Sequence, residues 1–435
     1  MNATLALSAL VAALAVGGAA ALGLASTEPA GAAESERAAS AEDVAGHWRF
    51  VLASPGGELP FGLTLAASPG GLVATIHNGE ERIRASRVVH EGARLNIDLA
   101  PYDSRLIAQL SADGTRLSGR WEKSAGGDKL VGLELTGTRG DAPRFALKAT
   151  TPEQRARLDG RWAVQFSSDE SIAVGQFEAL PDGRARGTFE TTLGDYRFLA
   201  GSFDGNRLRL SCFDGGHAFL FDARLDDAGE LRGGFWSRDS WHETWTAKLD
   251  PDAALPDPFG LTTWTGKVPL AELAFPDLEG KRRSLADPAF AGKVRILSLF
   301  GTWCPNCNDE ARFLAELHER YADRGLAILG LAFELDEDFE RSKRLVQSFK
   351  RRHGAEYPVL IAGVSDKRKA SEAFPALDRV RAYPTALILD ARGEVRAIHT
   401  GFSGPATGAA HEHMRERYET LIEELFAEAS ADDEE

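Results

Sequence analysis

A near-constant internal offset constrains this chain first. Gly46-His47-Trp48 recurs as Gly160-Arg161-Trp162, Gly92-Ala93-Arg94-Leu95 as Gly205-Asn206-Arg207-Leu208, and Gly119-Arg120-Trp121 as Gly234-Phe235-Trp236. Three anchors spaced by about 114 residues point to two copies of one unit. Around them run short, partly alternating segments such as 94–99 and 207–210. Pro69-Gly70-Gly71, Asp113-Gly114, Pro181-Asp182-Gly183, Asp204-Gly205-Asn206 and Asp227-Ala228-Gly229 punctuate them. Alternation is the strand period, and regularly spaced strands and turns imply a sandwich or barrel. The expectation is an all-β region of two repeated barrel- or sandwich-like units, 46–140 and 160–249, each of roughly six to eight strands. One short helical stretch, around 152–158, interrupts it.

Residues 250–267 read as a linker rich in Pro, Asp, Thr and Gly. From 268 to 428 the pattern changes to strands alternating with helices, which implies an α/β layer fold. Strands are expected at 294–300, 326–333, 357–361, 385–389 and 394–400, and helices at 305–321, 339–353 and 410–428. The chain is thus multidomain, all-β first and α/β second.

Charge and cysteine content exclude whole classes. Lys and Arg number 50 against 65 Asp and Glu, a net charge of −15. A nucleic-acid partner is not expected, because phosphate binding needs a basic surface. Three cysteines, Cys212, Cys304 and Cys307, cannot staple 435 residues as a disulfide scaffold. Residues 3–25 carry no charge, and Ala30-Gly31-Ala32-Ala33 follow. Residues 1–33 therefore read as a signal peptide. No Lys or Arg precedes the run, and its length of about 20 residues also suits an uncleaved N-terminal membrane anchor. Both readings put the rest of the chain outside the cytoplasm, in the periplasm, cell envelope or medium, where disulfides persist.

The chemistry lies where the strand 294–300 runs into Gly301-Thr302-Trp303-Cys304-Pro305-Asn306-Cys307 and then a helix. Cys304 falls at the helix start, where unpaired N–H groups and the dipole favour a thiolate, the nucleophile of thiol–disulfide exchange. Pro305 suits the first turn, where its missing N–H costs nothing. Cys307 lies one turn on, within disulfide reach and less exposed, as a resolving thiol requires. Trp303 is expected to shield the pair. A redox dithiol ranks ahead of a static disulfide and of zinc, which needs four ligands. No metal or cofactor is expected beyond the Cys304–Cys307 disulfide itself.

On Trp303-Cys304-Pro305-Asn306-Cys307, Tyr383-Pro384-Thr385 and the entry Phe275-Pro276-Asp277-Leu278-Glu279-Gly280-Lys281, residues 268–428 resemble the TlpA/ResA-like thiol–disulfide oxidoreductases of the thioredoxin-fold superfamily. The resemblance does not extend to the β region. It implies a thioredoxin-like domain and a cis Tyr383–Pro384 bond beside the Cys pair. It also implies a disulfide-bearing client protein, an external thiol electron donor, and reduction in preference to oxidation. Ser298 stands where thioredoxins proper carry a buried Asp. Glu310 matches an acid of the TlpA/ResA-like group and is a candidate proton acceptor for Cys307, against the reading of an ordinary first-turn Glu. Glu334, at a strand end, is a weaker candidate.

Two other functions compete. A peroxiredoxin-like thiol peroxidase expects Thr three residues before the reactive Cys; that position is Gly301, with Thr302 one residue late. An envelope binding protein would work through the β repeats, and Trp236, Trp241 and Trp245 are candidates for an aromatic ligand patch, with core packing the plainer reading. Cys212 is expected to be a buried free thiol. The Gly-rich loop 400–408 lacks the Lys-Ser/Thr of a phosphate cradle. His411 and His413, two apart, do not share a helix face.

Overall fold

A computed structural model describes residues 41–432. The signal or anchor segment, 1–33, lies outside the described residues. The first β unit is a nine-stranded antiparallel sheet whose first strand, Gly46–Ser54, pairs with its last, Leu130–Arg139. No ladder joins its edge strands, Glu81–Arg84 and Arg87–Glu91, so it is a half-barrel.

The second unit also has nine strands, more than the sequence spacing suggested, and eight of them close into a barrel. Gly160–Phe166 pairs on one side with Trp241–Leu249 and on the other with Ile172–Ala179, which continues to Arg184–Thr191. The ninth strand, Gly194–Asp195, is a two-residue hairpin arm, too short to leave a periodic signal. The repeat is chemical as well as topological. Trp48 Nε1 donates to the Val44 carbonyl, and Trp162 Nε1 to the Leu158 carbonyl, both at 2.9 Å. The third anchor has diverged: Trp121 is buried, whereas Trp236 stacks on His242.

Closure of one copy serves the other. On the barrel strand Arg207–Phe213, Cys212 points into the barrel core and Phe213 into the core of the half-barrel. There the Phe213 ring lies 4.3 Å from Phe61 and 5.4 Å from Trp121. A strand buried on both faces loses its alternation, which is why the sequence pattern there is only partial.

The C-terminal region is a thioredoxin-like α/β layer. Its sheet has the order Val359–Val364, Leu326–Glu334, Val294–Phe300, Thr385–Leu389, Val395–Thr400. The first three strands are parallel, and the last two run antiparallel to their neighbours. Helices Pro305–Tyr321, Phe339–His353 and Ala409–Asp432 complete it. Asp338 caps the second helix by accepting the Arg341 N–H, and Gly354, at φ 63°, ends it. Among the described residues, no helix is long and apolar enough to cross a membrane.

Candidate active site: a dithiol roofed by the β region

The strand Val294–Phe300 is buried at every position and carries the loop 301–304 to the end of the sheet. Cys304 is the N-cap of the next helix. Its sulfur accepts the Cys307 N–H at 3.3 Å, and its thiol donates to the Tyr383 carbonyl at 3.4 Å. The Tyr383–Pro384 bond is cis. Strand, helix and this second loop thus meet at one sulfur. Both cysteines are free thiols, 6% and 1% exposed. Burial, followed by the hydrogen bond to Cys304, pushes the Cys307 thiol up.

Glu310 lies one turn beyond Cys307. Ser298 Oγ donates to its Oε2 at 2.5 Å, while Oε1 is buried with no bond. Burial pushes this carboxyl up to about 8, against the opposing pull of Ser298. Its charge in turn raises the Cys307 thiol. Glu334 is engaged differently. It accepts the Thr302 N–H at 3.0 Å and the Thr302 hydroxyl at 2.7 Å, and burial brings it to about 7. It therefore anchors the loop ahead of the cysteines. Trp303 Nε1 donates to the Phe333 carbonyl at 2.9 Å, and its ring stands edge-on to Tyr383.

Sequence reasoning missed a second set of groups. Asn308 donates to the Cys304 carbonyl at 2.8 Å and to the Thr302 carbonyl at 3.2 Å, tying the helix back to the loop. His353, which burial and two nearby arginines bring down to about 3, is neutral and sits 2.7 Å from Asn308 Oδ1. A neutral ring with its proton on Nε2 makes that bond. A buried Asn after a Cys-x-x-Cys pair was the available signal.

The other missed groups come from the β region, which roofs the pair. Gly216, in a barrel turn, backs onto Pro305: a Cβ there would lie 2.8 Å from Pro305 Cγ and 3.0 Å from Tyr102 Cδ1. Lys123 of the half-barrel donates to the Gly216 carbonyl at 2.8 Å. Burial brings its ammonium down to about 8, with Asp214 and Cys304 pulling the other way. Asn306 donates to the Phe402 carbonyl at 3.3 Å and the Asp195 carbonyl at 3.5 Å, and Asp195 Oδ2 accepts the Gly404 N–H. The Gly-rich loop is thereby a contact within the chain. Arg197, 2% exposed, pairs with Glu81 of the half-barrel, Asp214 of the barrel and Asp309 of the helix after Cys307. No local sequence signal marks these groups, because their partners lie on distant segments.

The remaining singled-out residues lie elsewhere. Cys212 is buried and receives the Asn78 side-chain N–H at 3.4 Å. Trp245 is in the barrel core, and Trp241 is half exposed. His411 bonds to the Ser403 carbonyl, so it is structural.

Residues 266–398 match the AhpC/TSA family model. Thioredoxin-like protein YneN of Bacillus subtilis is 32% identical over 124 residues, 28% of this chain and 65% of that one. Thiol-disulfide oxidoreductase ResA of Bacillus thuringiensis subsp. konkukian is 30% identical over 119 residues, 27% of this chain and 60% of that one. This chain therefore spans less than two thirds of the length of these relatives. A thioredoxin-family thiol:disulfide interchange protein from Chlorobium tepidum aligns with 23% identity and a TM-score of 0.28, over 37% of this chain and 96% of that one. The C-terminal segment is a thioredoxin-fold segment similar to the ResA-like thiol–disulfide oxidoreductases.

Proposed function

We propose that the chain is an extracytoplasmic thiol–disulfide oxidoreductase that reduces disulfides in client proteins through Cys304 and Cys307. The observation that carries this reading is the position of Cys304: an N-cap thiol bonded to the Cys307 N–H and seated against the Tyr383 carbonyl. The likeness to ResA and YneN supports it. Export rests on the uncharged run at 3–25.

The Cys304 thiolate attacks a client disulfide, forming a mixed disulfide and releasing one client sulfur as thiolate, which takes a proton. Cys307 gives its proton to the Glu310 carboxylate and attacks Cys304. The second client sulfur leaves, and a Cys304–Cys307 disulfide remains. Two electrons have passed to the client, and an external dithiol restores the pair. The turn at Gly216 packs on Pro305, the residue after Cys304, so a client approaches the sulfur past that turn.

The test is the reduction potential of the pair, read by Trp303 fluorescence in a dithiothreitol series. A value near about −270 mV supports a reductase, and one near about −120 mV reverses the direction. Cys304→Ser should abolish exchange, and Cys307→Ser should trap the mixed disulfide.

Two observations bear on the alternatives. A peroxidase needs a hydroxyl directed at the reactive sulfur, and the Thr302 hydroxyl is committed to Glu334. A binding role draws support from a cleft of about 920 Å³ between half-barrel and barrel, lined by His77, Arg82, Arg144, Arg161 and Phe177. Client turnover that survives Cys304→Ser would favour that role.

A further inference from the structure

A groove of about 640 Å³ is walled in part by Arg379, Val380 and Arg381, just ahead of the Tyr383–Pro384 loop. Its charged lining residues are Lys367, Arg368, Arg379 and Arg381, with no carboxylate among the lining. Arg368 pairs with Glu372, and Arg381 with Asp378. Lys367 and Arg379 are exposed, and no ion pair engages either among the described residues. Partial desolvation of its ammonium against the groove wall and then the Arg379 charge lower Lys367, so the two cations face one another. The Arg381 Nε is buried with no hydrogen-bond partner. A basic wall of this kind runs against a chain of net charge −15, so it is a local feature.

The opposite lip is apolar and belongs to the barrel. Leu193, 46% exposed, lines the groove, and Ile172, 51% exposed, follows the lining Ser171. Pro256, Leu261 and Val380 complete the apolar surface. Two of its lining residues are neighbours of residues at the site. Thr400, in its wall, pairs in register with Thr385, the residue after Pro384. Gly194, next to Leu193, packs so closely on the Asn306 amide that a Cβ there would lie 2.5 Å from it.

We propose that this groove docks an acidic segment of the client polypeptide, with carboxylates on Lys367 and Arg379 and an apolar side chain against Leu193. This deepens the oxidoreductase reading and rests on it for the word client. The volume falls within the range of about 300–1,000 Å³ usual for ligand clefts, and charge complementarity selects the partner. Two unpaired cations at the rim add to encounter rate and selectivity and lose their effect in salt.

The test is fluorescence anisotropy of a labelled, cysteine-free peptide with Leu flanked by glutamates, on the full chain. Its counterpart with lysines in place of glutamates is the control. The glutamate peptide is expected to bind, and the lysine peptide not. The double variant K367E/R379E should weaken binding by about tenfold or more, equivalent to about 1.4 kcal/mol, and K367Q/R379Q by less. Both variants should reduce a small aromatic disulfide at the wild-type rate, because neither residue touches Cys304. Equal affinity of wild type and K367E/R379E for the glutamate peptide, or equal affinity of wild type for both peptides, would overturn the proposal. The peptide holds no disulfide, so its binding is read independently of exchange. If the small disulfide is not reduced by wild type, the oxidoreductase reading fails on its own.

Discussion

Ser298 Oγ donates to Glu310 Oε2 at 2.5 Å, deep beneath the Cys pair, and leaves Oε1 free. The buried carboxylate of this site thus sits on the helix and is held from the strand by a serine. With burial holding Glu310 up at about 8, most of it is protonated at neutral pH. Resolution of the mixed disulfide is expected to speed up as pH rises to about 8 and then level off. Glu310→Gln should flatten that profile and slow resolution by about 100-fold, in the range of general-base effects. Stopped-flow release of the second client thiol reads both.

The same carboxyl makes stability depend on pH, and its sign follows from a folded value above the ordinary 4.5. Its contribution is fully present below pH 4.5. Between there and about 8 the unfolded chain ionises first, so stability falls as pH rises. Each tenfold difference in proton affinity is worth about 1.4 kcal/mol. Urea titrations of wild type should lose stability across that window, and Glu310→Gln should lose less, keeping the part that Glu334, held up at about 7, contributes. A wild-type curve as flat as the variant's would contradict this account.

Arg197 joins three parts of the chain through Glu81, Asp214 and Asp309. Removing one member of a buried ionic group leaves the others uncompensated, at a cost of about 3–5 kcal/mol. Arg197→Met is expected to lower the unfolding free energy by that order. Because Asp309 follows Cys307 by two residues, the variant should also raise the rate of Cys304 alkylation under native conditions. Wild-type stability with unchanged alkylation would show that the interface does not depend on this arginine.

Gly216 tests the roof directly. An added Cβ meets Pro305 and Tyr102 at 2.8 and 3.0 Å, closer than packed side chains accept. Gly216→Val should therefore open the cover and let a bulky maleimide reach Cys304 several-fold faster. Iodoacetamide, being small, should gain less. Reaction rates equal to those of wild type for both reagents would mean that access runs by another path.

The two tryptophan caps give a prediction about the repeat. Trp48 and Trp162 each bond the carbonyl four residues upstream at 2.9 Å. Trp48→Phe and Trp162→Phe should each cost about 1–3 kcal/mol, the penalty for a buried carbonyl left unpaired. The two sites lie in separate cores, so the double variant should show the sum. Chemical denaturation of the three variants measures this.

Whatever depends on neighbours along the chain could be read from the order of residues. The offset of Gly-x-Trp anchors exposed two copies of a β unit. The run from a wholly apolar strand into Cys304-Pro305-Asn306-Cys307 defined the strand–loop–helix that makes a thiol an N-cap. Glu310 was singled out by its match to an acid of the TlpA/ResA-like group, while its burial beside Ser298 needed the fold. That one copy closes and the other stays open came from the packed fold, since closure depends on ladders between strands far apart and Phe213 serves the neighbouring core. The packed fold also decided that Glu334 holds the Thr302 loop, that Ser298 is the partner of Glu310, that Gly216, held by Lys123, packs on Pro305, and that Arg197 pairs with Asp309. Burial and pairing of polar groups are properties of the packed interior, and no local pattern of residue types encodes which distant segment will supply the partner.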